Sequence, residues 1–156
     1  MHPVIGIDVA NGKSVATAWQ DNGVPFGQLS FDHTVSGLAQ LQNILNQLEQ
    51  TCGVQPEAIL EATGHYSMPL CRYFIEHHYT FRLLNPYLSR QFNRLSLRKI
   101  KTDKVDSENL CRLYYQEHLF ERPALNYIFD DTKAIIRAVA EAIQNLVRLR
   151  VHLNDY

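Results

Sequence analysis

Four acidic residues in three separate segments of the chain are the first candidates for chemistry. They are Asp8, Glu61, Asp103 and Asp106. Asp8 and Glu61 each stand within an apolar run, where a lone carboxylate is costly unless a cation neutralises it. Asp103 and Asp106 are three residues apart, which places both on one face of a helix. If the four carboxylates converge, bound Mg²⁺ (or Mn²⁺) would relieve their repulsion, and two such ions can activate a nucleophile and stabilise the leaving oxygen in phosphoryl transfer.

Taken one at a time, these acids have plainer interpretations. A strand aspartate shortly before Asn11-Gly12 is typical of a turn or a cap. Asp103 and Asp106 are equally typical of the first turn and the solvated face of a helix. The hypothesis of a metal-dependent catalytic site therefore depends on the combination of the acids and on their order along the chain.

A basic segment begins at Arg82 and extends to Lys104, which lies between the last two of these acids, Asp103 and Asp106. The formal net charge is −1, yet residues 82–104 carry +6 and the other residues sum to −7. Such a patch on an otherwise acidic chain indicates a polyanionic partner, with a solvated helix face as the alternative. The residues expected to contact nucleic acid are Arg90, Arg94, Arg98, Lys99, Lys101 and Lys104.

Periodicity predicts the elements that must position these residues. Strands are expected over 4–10, 14–20 and 25–33, joined by two Asn-Gly turns as an antiparallel meander. A helix capped by Ser36 should run to Gly53, because its apolar residues recur at three and four positions. Then come a strand over 58–62, a helix over 67–78, a strand over 80–84, a helix from Pro86 to about 97 and a helix capped by Thr102. The order β-β-β-α-β-α-β-α-α predicts an α/β domain with a mixed five-stranded sheet and flanking helices.

Two groups of residues within these elements have open roles. The helix over 67–78 is expected to present one face made of Leu70, Tyr73, Phe74 and His77. Aromatic residues near the basic segment could stack on bases, with core packing as the alternative; they are Tyr87, Phe92, Tyr114 and Tyr115. His65, four residues after Glu61, could serve a structural, a phosphate-contacting or a catalytic role.

The C-terminal residues follow a different period. Apolar residues recur at spacings of four and three, the a/d pattern of a coiled coil. They are Ile135, Val139, Ala142, Leu146, Leu149 and Leu153. We expect residues 130–156 to be the start of a truncated coiled-coil helix through which the chain forms a homo-oligomer, a dimer or a tetramer. A single helix packed on the preceding domain is the alternative.

Composition excludes several classes of protein. Hydrophobic residues make up 46% of the chain and charged residues 20%, which is typical of a folded globular protein and not of a disordered one. Three cysteines without a CxxC pair do not suggest a disulfide framework or a zinc site. The N-terminus lacks the pattern of a signal peptide, and no apolar run approaches about 18 residues. We therefore expect a cytoplasmic protein without a membrane partner.

The three acidic segments together resemble those of a known family. The segments are Gly6–Ala10, Glu61–Tyr66 and Lys101–Ser107. Over residues 3–120 the chain looks like the DEDD insertion-sequence transposases, and the similarity extends to the pilin-gene inverting recombinases. The resemblance implies a ribonuclease H-like (RuvC-like) catalytic domain over 1–122, similar to the Holliday-junction resolvases. It also implies that Asp8, Glu61, Asp103 and Asp106 are its catalytic, metal-binding tetrad.

The same resemblance implies a function. Members of this family cleave and exchange donor and target DNA under the guidance of a structured RNA, and the basic segment fits those partners. Complete members carry a C-terminal domain with a serine, which is absent here, so we expect this chain to be an N-terminal part that is inactive alone. Neither Ser67 nor Ser107 is assigned as the nucleophile. The alternatives are a structure-selective nuclease similar to a junction resolvase and a non-catalytic module for nucleic-acid binding and oligomerisation.

Overall fold

The computed structural model describes residues 1–95, 102–122, 124 and 142–144, except for the side chains of residues 93–95. Five strands and four helices of some length lie in the described part. The strands are β1 Val4–Val9, β2 Lys13–Asp21, β3 Val24–Asp32, β4 Glu57–Glu61 and β5 Phe81–Leu84. The helices are α1 Val35–Cys52, α2 Met68–Glu76, α3 Pro86–Leu95 and α4 Asp103–Gln116, with short 3₁₀ turns at Gly64–Ser67 and Leu119–Glu121.

The strands form one mixed sheet in the order β3-β2-β1-β4-β5. Strand β2 runs antiparallel to both β1 and β3, as the two tight turns require. Strand β4 lies parallel to β1, and β5 lies parallel to β4, because a helix intervenes before each of these strands. The predicted mixed five-stranded sheet is confirmed, and the arrangement is consistent with a ribonuclease H-like fold.

Helices α1 and α4 cover opposite faces of this sheet. A Cβ on Gly27 would lie 3.3 Å from a methyl carbon of Ile44 in α1. The next residue of β3, Gln28, donates a hydrogen bond to Thr17 on the face that α4 covers. Successive strand residues point to opposite faces, so the two helices must lie on opposite sides. The core is therefore three layers thick, with the sheet in the middle.

The start of α1 differs from the prediction. Thr34, not Ser36, is the N-cap: its backbone is extended and its hydroxyl accepts a hydrogen bond from the Gly37 N–H at 3.2 Å. Ser36 already lies inside the first turn, where its own hydroxyl contacts that of Thr34 at 3.1 Å. The predicted end is confirmed, because Gly53 closes the helix in the left-handed conformation with φ of 69°.

The predicted helix over 67–78 divides into two parts. A 3₁₀ turn at Gly64–Ser67 leads into α2, which ends at Glu76. The predicted extension of the helix through His77 and His78 is wrong, because α2 ends at Glu76 and His77 is its exposed C-cap residue. Its ring stacks on Tyr73 with centroids 4.1 Å apart, so it covers the edge of the core without entering it.

Arg82 does not belong to a basic surface. It is buried in β5, where its guanidinium donates to Glu57 at 2.8 Å and to the carbonyl oxygen of Arg122 at 2.9 Å. The ion pair joins the two neighbouring strands at the end of the sheet remote from Asp8 and Glu61. Arg82 therefore stabilises the interior of the protein and is not available to bind a polyanion.

The chain divides into two units, Met1–Asn126 and Tyr127–Tyr156. Of the second unit, the structure describes only residues 142–144, which are helical and which include an exposed Ile143. The predicted coiled coil over 130–156 otherwise lies outside the described residues. In the described ranges, no helix has the length and apolar character needed to cross a membrane.

Candidate active site

Asp8 and Glu61 lie side by side at one edge of the sheet. The register of the parallel strands β1 and β4 pairs Ile7 with Leu60. The next residue of each strand is the acid, and neighbouring strands are about 4.8 Å apart. Both carboxylates are half-buried. Since parallel strands end at the same edge, two acids that are far apart in sequence become neighbours there.

Gly6 determines how closely helix α4 approaches these acids. A Cβ at this position would overlap the carbonyl oxygen of Ser107 and would lie 3.0 Å from the Cys111 sulfur. Only glycine allows α4 to rest directly on β1. Asp8, two residues after Gly6, points to the same face of the strand and hence toward the N-terminal end of that helix.

Asp103 and Asp106 occupy the first turn of α4. Thr102 caps the helix, and its hydroxyl accepts a hydrogen bond from the Val105 N–H at 3.2 Å. Acids in a first turn are favoured by the positive end of the helix dipole, so these two also contribute to helix stability. Asp106 is half-buried, whereas Asp103 is exposed.

All four acids line one cleft of about 330 Å³. The complete lining is Asp8, Glu61, Ser89, Arg90, Phe92, Asp103, Asp106, Asn109, Leu110 and Leu113. Residues from β1, β4, α3 and α4 thus surround a single space. Leu110 and Leu113, which also line this space, are buried in the hydrophobic core.

A hydrogen-bond relay holds the acidic turn against the sheet. The Ser107 hydroxyl donates its one proton to the carbonyl oxygen of Lys104 at 2.9 Å, so Thr17 must donate in its 2.7 Å contact with Ser107. Thr17 in turn accepts from the Gln28 amide at 2.9 Å. The relay ends between Asp103 and Asp106, so it positions both relative to β2 and β3.

The hydroxyls of Ser67 and Ser107 and the thiol of Cys111 serve the local structure near the cleft. Ser107 is fully buried and its proton is committed to the relay, while the hydroxyl of buried Ser67 donates to the carbonyl oxygen of Gly64 at 3.1 Å. Burial raises the pKa of the Cys111 thiol to about 12, so it stays protonated at neutral pH. The two serine hydroxyls thus hold the backbone around the cleft. His65, whose role the sequence left open, is exposed.

Of the six basic residues expected to contact nucleic acid, only some can be located. Arg90 is exposed on α3 and lines the cleft, and Lys104 is exposed at the start of α4. Arg94 lies in α3 without a described side chain, while Arg98, Lys99 and Lys101 lie outside the described residues. One guanidinium therefore faces the same space as the four carboxylates.

The donor set of the cleft is suited to a hard divalent cation. Carboxylate oxygens are the ligands that Mg²⁺ and Mn²⁺ prefer. In the described ranges, no three histidine, cysteine, aspartate or glutamate side chains are grouped closely enough to hold a metal ion on their own. Mg²⁺ commonly binds one or two carboxylates together with substrate phosphates, so the residues fit an ion whose coordination the substrate completes.

Sequence reasoning did not place four residues of the lining at the site: Ser89, Asn109, Leu110 and Leu113. Asn109 lies three residues after Asp106 and six after Asp103, so all three fall on one face of α4. That spacing was visible in the sequence and could have identified Asn109. Ser89 depends on how α3 packs beside α4, which periodicity alone does not provide.

Comparison with known proteins agrees with this architecture. The model of the IS110-type DEDD family, described as a transposase, matches residues 5–156. No curated protein matches the chain. The family match includes all three acidic segments and extends over nearly the whole sequence. The chain therefore belongs to the IS110-type DEDD transposase family.

Proposed function

We propose that this chain supplies the metal-dependent site at which the transposase cleaves and exchanges DNA strands, with Asp8, Glu61, Asp103 and Asp106 as the metal-binding and catalytic residues. One observation carries the proposal: acids from three distant segments line a single cleft. Capping explains Asp103 and Asp106, but it does not explain why two strand acids open into the same space. A shared cation explains all four.

Each group in the cleft has a distinct role in this proposal. The four carboxylates and a substrate phosphate would hold Mg²⁺ or Mn²⁺, which would activate the attacking oxygen and stabilise the leaving oxygen. Arg90 would bind the negatively charged DNA backbone and offset its repulsion by the acids. The apolar side chains of Leu110 and Leu113 would lower the local dielectric and strengthen both interactions.

Guidance by RNA and assembly through the C-terminal helix belong to the same proposal. The segment 90–104 carries six basic residues against one acid, in a chain that is acidic elsewhere. A segment of this charge is suited to binding the phosphate backbone of a nucleic acid that enters beside the acidic cleft. The heptad spacing of residues 135–153 supports self-association, which would bring two such clefts to donor and target DNA.

Strand cleavage by neutral variants tests the proposal. Asp8→Asn and Glu61→Gln should each abolish Mg²⁺-dependent cleavage of donor DNA by the transposase supplied with its RNA, because an amide is a poor substitute for an anionic ligand. Asp21→Asn is the matched control. Asp21 is also a half-buried acid, but it is the last residue of β2, whereas Asp8 pairs with Val15 near the start of that strand. Full cleavage by Asp8→Asn would refute the proposed role of the acids.

The DNA substrates that are cleaved distinguish a transposase from a junction-specific nuclease. A transposase should need its donor and target sequences and its RNA, whereas a resolvase-like nuclease should cut branched DNA of any sequence without RNA. Binding of RNA and DNA without cleavage of either substrate would instead favour the non-catalytic module.

A further inference from the structure

Two exposed tyrosines differ from every other large aromatic residue that the structure describes. Tyr66 is 48% exposed and Tyr87 is 66% exposed. The remaining described Tyr, Phe and Trp side chains are buried or half-buried. Tyr114 and Tyr115, which sequence reasoning also considered for stacking, are 1% and 5% exposed and belong to the core. The fold thus does not need the rings of Tyr66 and Tyr87.

Both tyrosines lie at the edge of the sheet that carries the acids. Tyr66 is in the 3₁₀ turn that follows β4, and Tyr87 is the second residue of α3, which follows β5. Strands β4 and β5 are parallel neighbours, with Glu61 opposite Leu84 at their ends. The two rings therefore follow adjacent strand ends, five residues after Glu61 and three after Leu84.

Local hydrogen bonds fix the backbone that carries each ring. The buried Ser67 hydroxyl donates to the carbonyl oxygen of Gly64 at 3.1 Å, which closes the turn around Tyr66. The backbone N–H of Tyr87 donates to the Asn85 side chain at 2.9 Å, which caps α3. Because both rings stand on ordered turns, a ligand that stacks on them loses little of its binding energy to ordering the backbone.

A positive charge next to the ring of Tyr87 indicates what kind of ligand this ring binds. Arg90, which lines the acidic cleft, lies three residues after Tyr87 on the same helix, and such residues are neighbours on a helix surface. Helix α3 thus presents an aromatic ring and a guanidinium together. A nucleotide has the complementary pair of features, a planar base and a phosphate.

We propose that Tyr66 and Tyr87 stack on unpaired bases of the DNA strand whose phosphate enters the acidic cleft. This inference rests on the function proposed above and adds that the strand is bound in an opened form. Bases within a duplex are covered on both faces by their neighbours, so only unpaired bases can use the two rings. The platform would select opened DNA and hold the strand beside Asp8 and Glu61.

Fluorescence of 2-aminopurine in DNA provides the test. The probes are a single-stranded oligodeoxynucleotide that carries 2-aminopurine and the same strand in a blunt duplex, both without divalent ions so that no cleavage occurs. The wild-type chain should bind the single strand more tightly and quench its fluorescence. Tyr66→Ala/Tyr87→Ala should lose the quenching and weaken binding by at least about tenfold, given typical base-stacking strengths.

Matched variants isolate the rings. Tyr66→Phe/Tyr87→Phe should keep both quenching and affinity, since a phenyl ring still stacks. Ile75→Ala removes a different exposed apolar residue, 44% exposed on α2, and should behave as wild type. Quenching is measured without divalent ions and so does not depend on cleavage, which lets the proposed stacking and the proposed metal site succeed or fail separately.

Unchanged quenching and affinity in the double alanine variant, with an unchanged circular dichroism spectrum, would overturn the inference. Equal binding of single strand and duplex by the wild type would also overturn it. So would loss of self-association, rather than loss of DNA binding, in the double alanine variant, because the tyrosines would then belong to a protein interface.

Discussion

Gly6 and Ser107 lie in contact where helix α4 crosses strand β1, with no room for a side chain on Gly6. This contact links two parts of the acidic cleft. Asp8 follows Gly6 by two residues on the same strand face, and Asp106 immediately precedes Ser107. The distance between the strand acids and the helix acids therefore depends on a single close approach of two backbones.

Replacing Gly6 with alanine should push α4 away from the sheet. The added methyl group would overlap a backbone oxygen that cannot rotate away, so we expect a loss of about 1–3 kcal/mol of unfolding free energy. Gly27→Ala is the control, because its nearest neighbour is the flexible end of Ile44 at 3.3 Å. Urea unfolding of both variants measures the difference, and equal stability would show that α4 tolerates displacement.

Ser107→Ala should weaken the relay without removing a reacting group. The lost hydrogen bonds to Thr17 and Lys104 should cost about 1–2 kcal/mol of stability. Strand cleavage should persist within about tenfold of wild type, since the change only loosens the turn that carries the acids. Thr17→Val should reproduce both effects. Cleavage lost in Ser107→Ala but kept in Thr17→Val would instead identify Ser107 as a nucleophile.

Arg82 and Arg90 should behave oppositely when mutated. Arg82→Met leaves Glu57 without its ion-pair partner and should cost about 2–3 kcal/mol, less than a fully buried pair because Glu57 keeps some solvent contact. Arg82→Met/Glu57→Met should recover part of this loss. Arg90→Ala should change stability by less than about 0.5 kcal/mol and reduce the salt slope of DNA binding by about one unit. Reduced binding in folded Arg82→Met would contradict the assignment.

The basic segment should bind the phosphate backbone of a nucleic acid through its charged side chains. Arg94→Ala/Arg98→Ala/Lys101→Ala should flatten the dependence of log binding constant on log salt concentration by about two or three units, one for each lost phosphate contact. The measurement is a salt titration of RNA and DNA binding, with circular dichroism as the control for folding. Unchanged affinity and slope would mean that the segment is a solvated surface.

The periodicity of apolar residues along the chain was sufficient to predict much of the fold. Alternation and the Asn-Gly turns located the meander, and the order of strands and helices predicted a mixed five-stranded sheet with flanking helices. The prediction of Ser36 as the N-cap was wrong because Thr34, two residues earlier, has the same capping chemistry. The local sequence does not distinguish the two residues. The prediction for His77 was wrong because the helical period was extended past Glu76, where the helix ends.

Features that depend on tertiary contacts could not be predicted in this way. Arg82 looked like surface charge because its partner, Glu57, belongs to another strand 25 residues away. The role of Gly6 was equally invisible, since nothing in its own segment shows that α4 lies on it. The residue types and their order made the four acids candidates, but their spacing alone does not imply a shared cleft, and the resemblance to a known family was needed to group them.

Binding of Mn²⁺, followed by the electron paramagnetic resonance signal of the free ion, is the most direct test of the central claim that the cleft acids form one metal site. The wild-type chain should bind Mn²⁺ weakly alone and more tightly with a single-stranded oligonucleotide, because phosphate completes the coordination. Asp8→Asn and Glu61→Gln should each weaken binding at least about tenfold, and the Asp21→Asn control should match wild type. Identical Mn²⁺ binding by wild type, Asp8→Asn and Glu61→Gln would contradict the account.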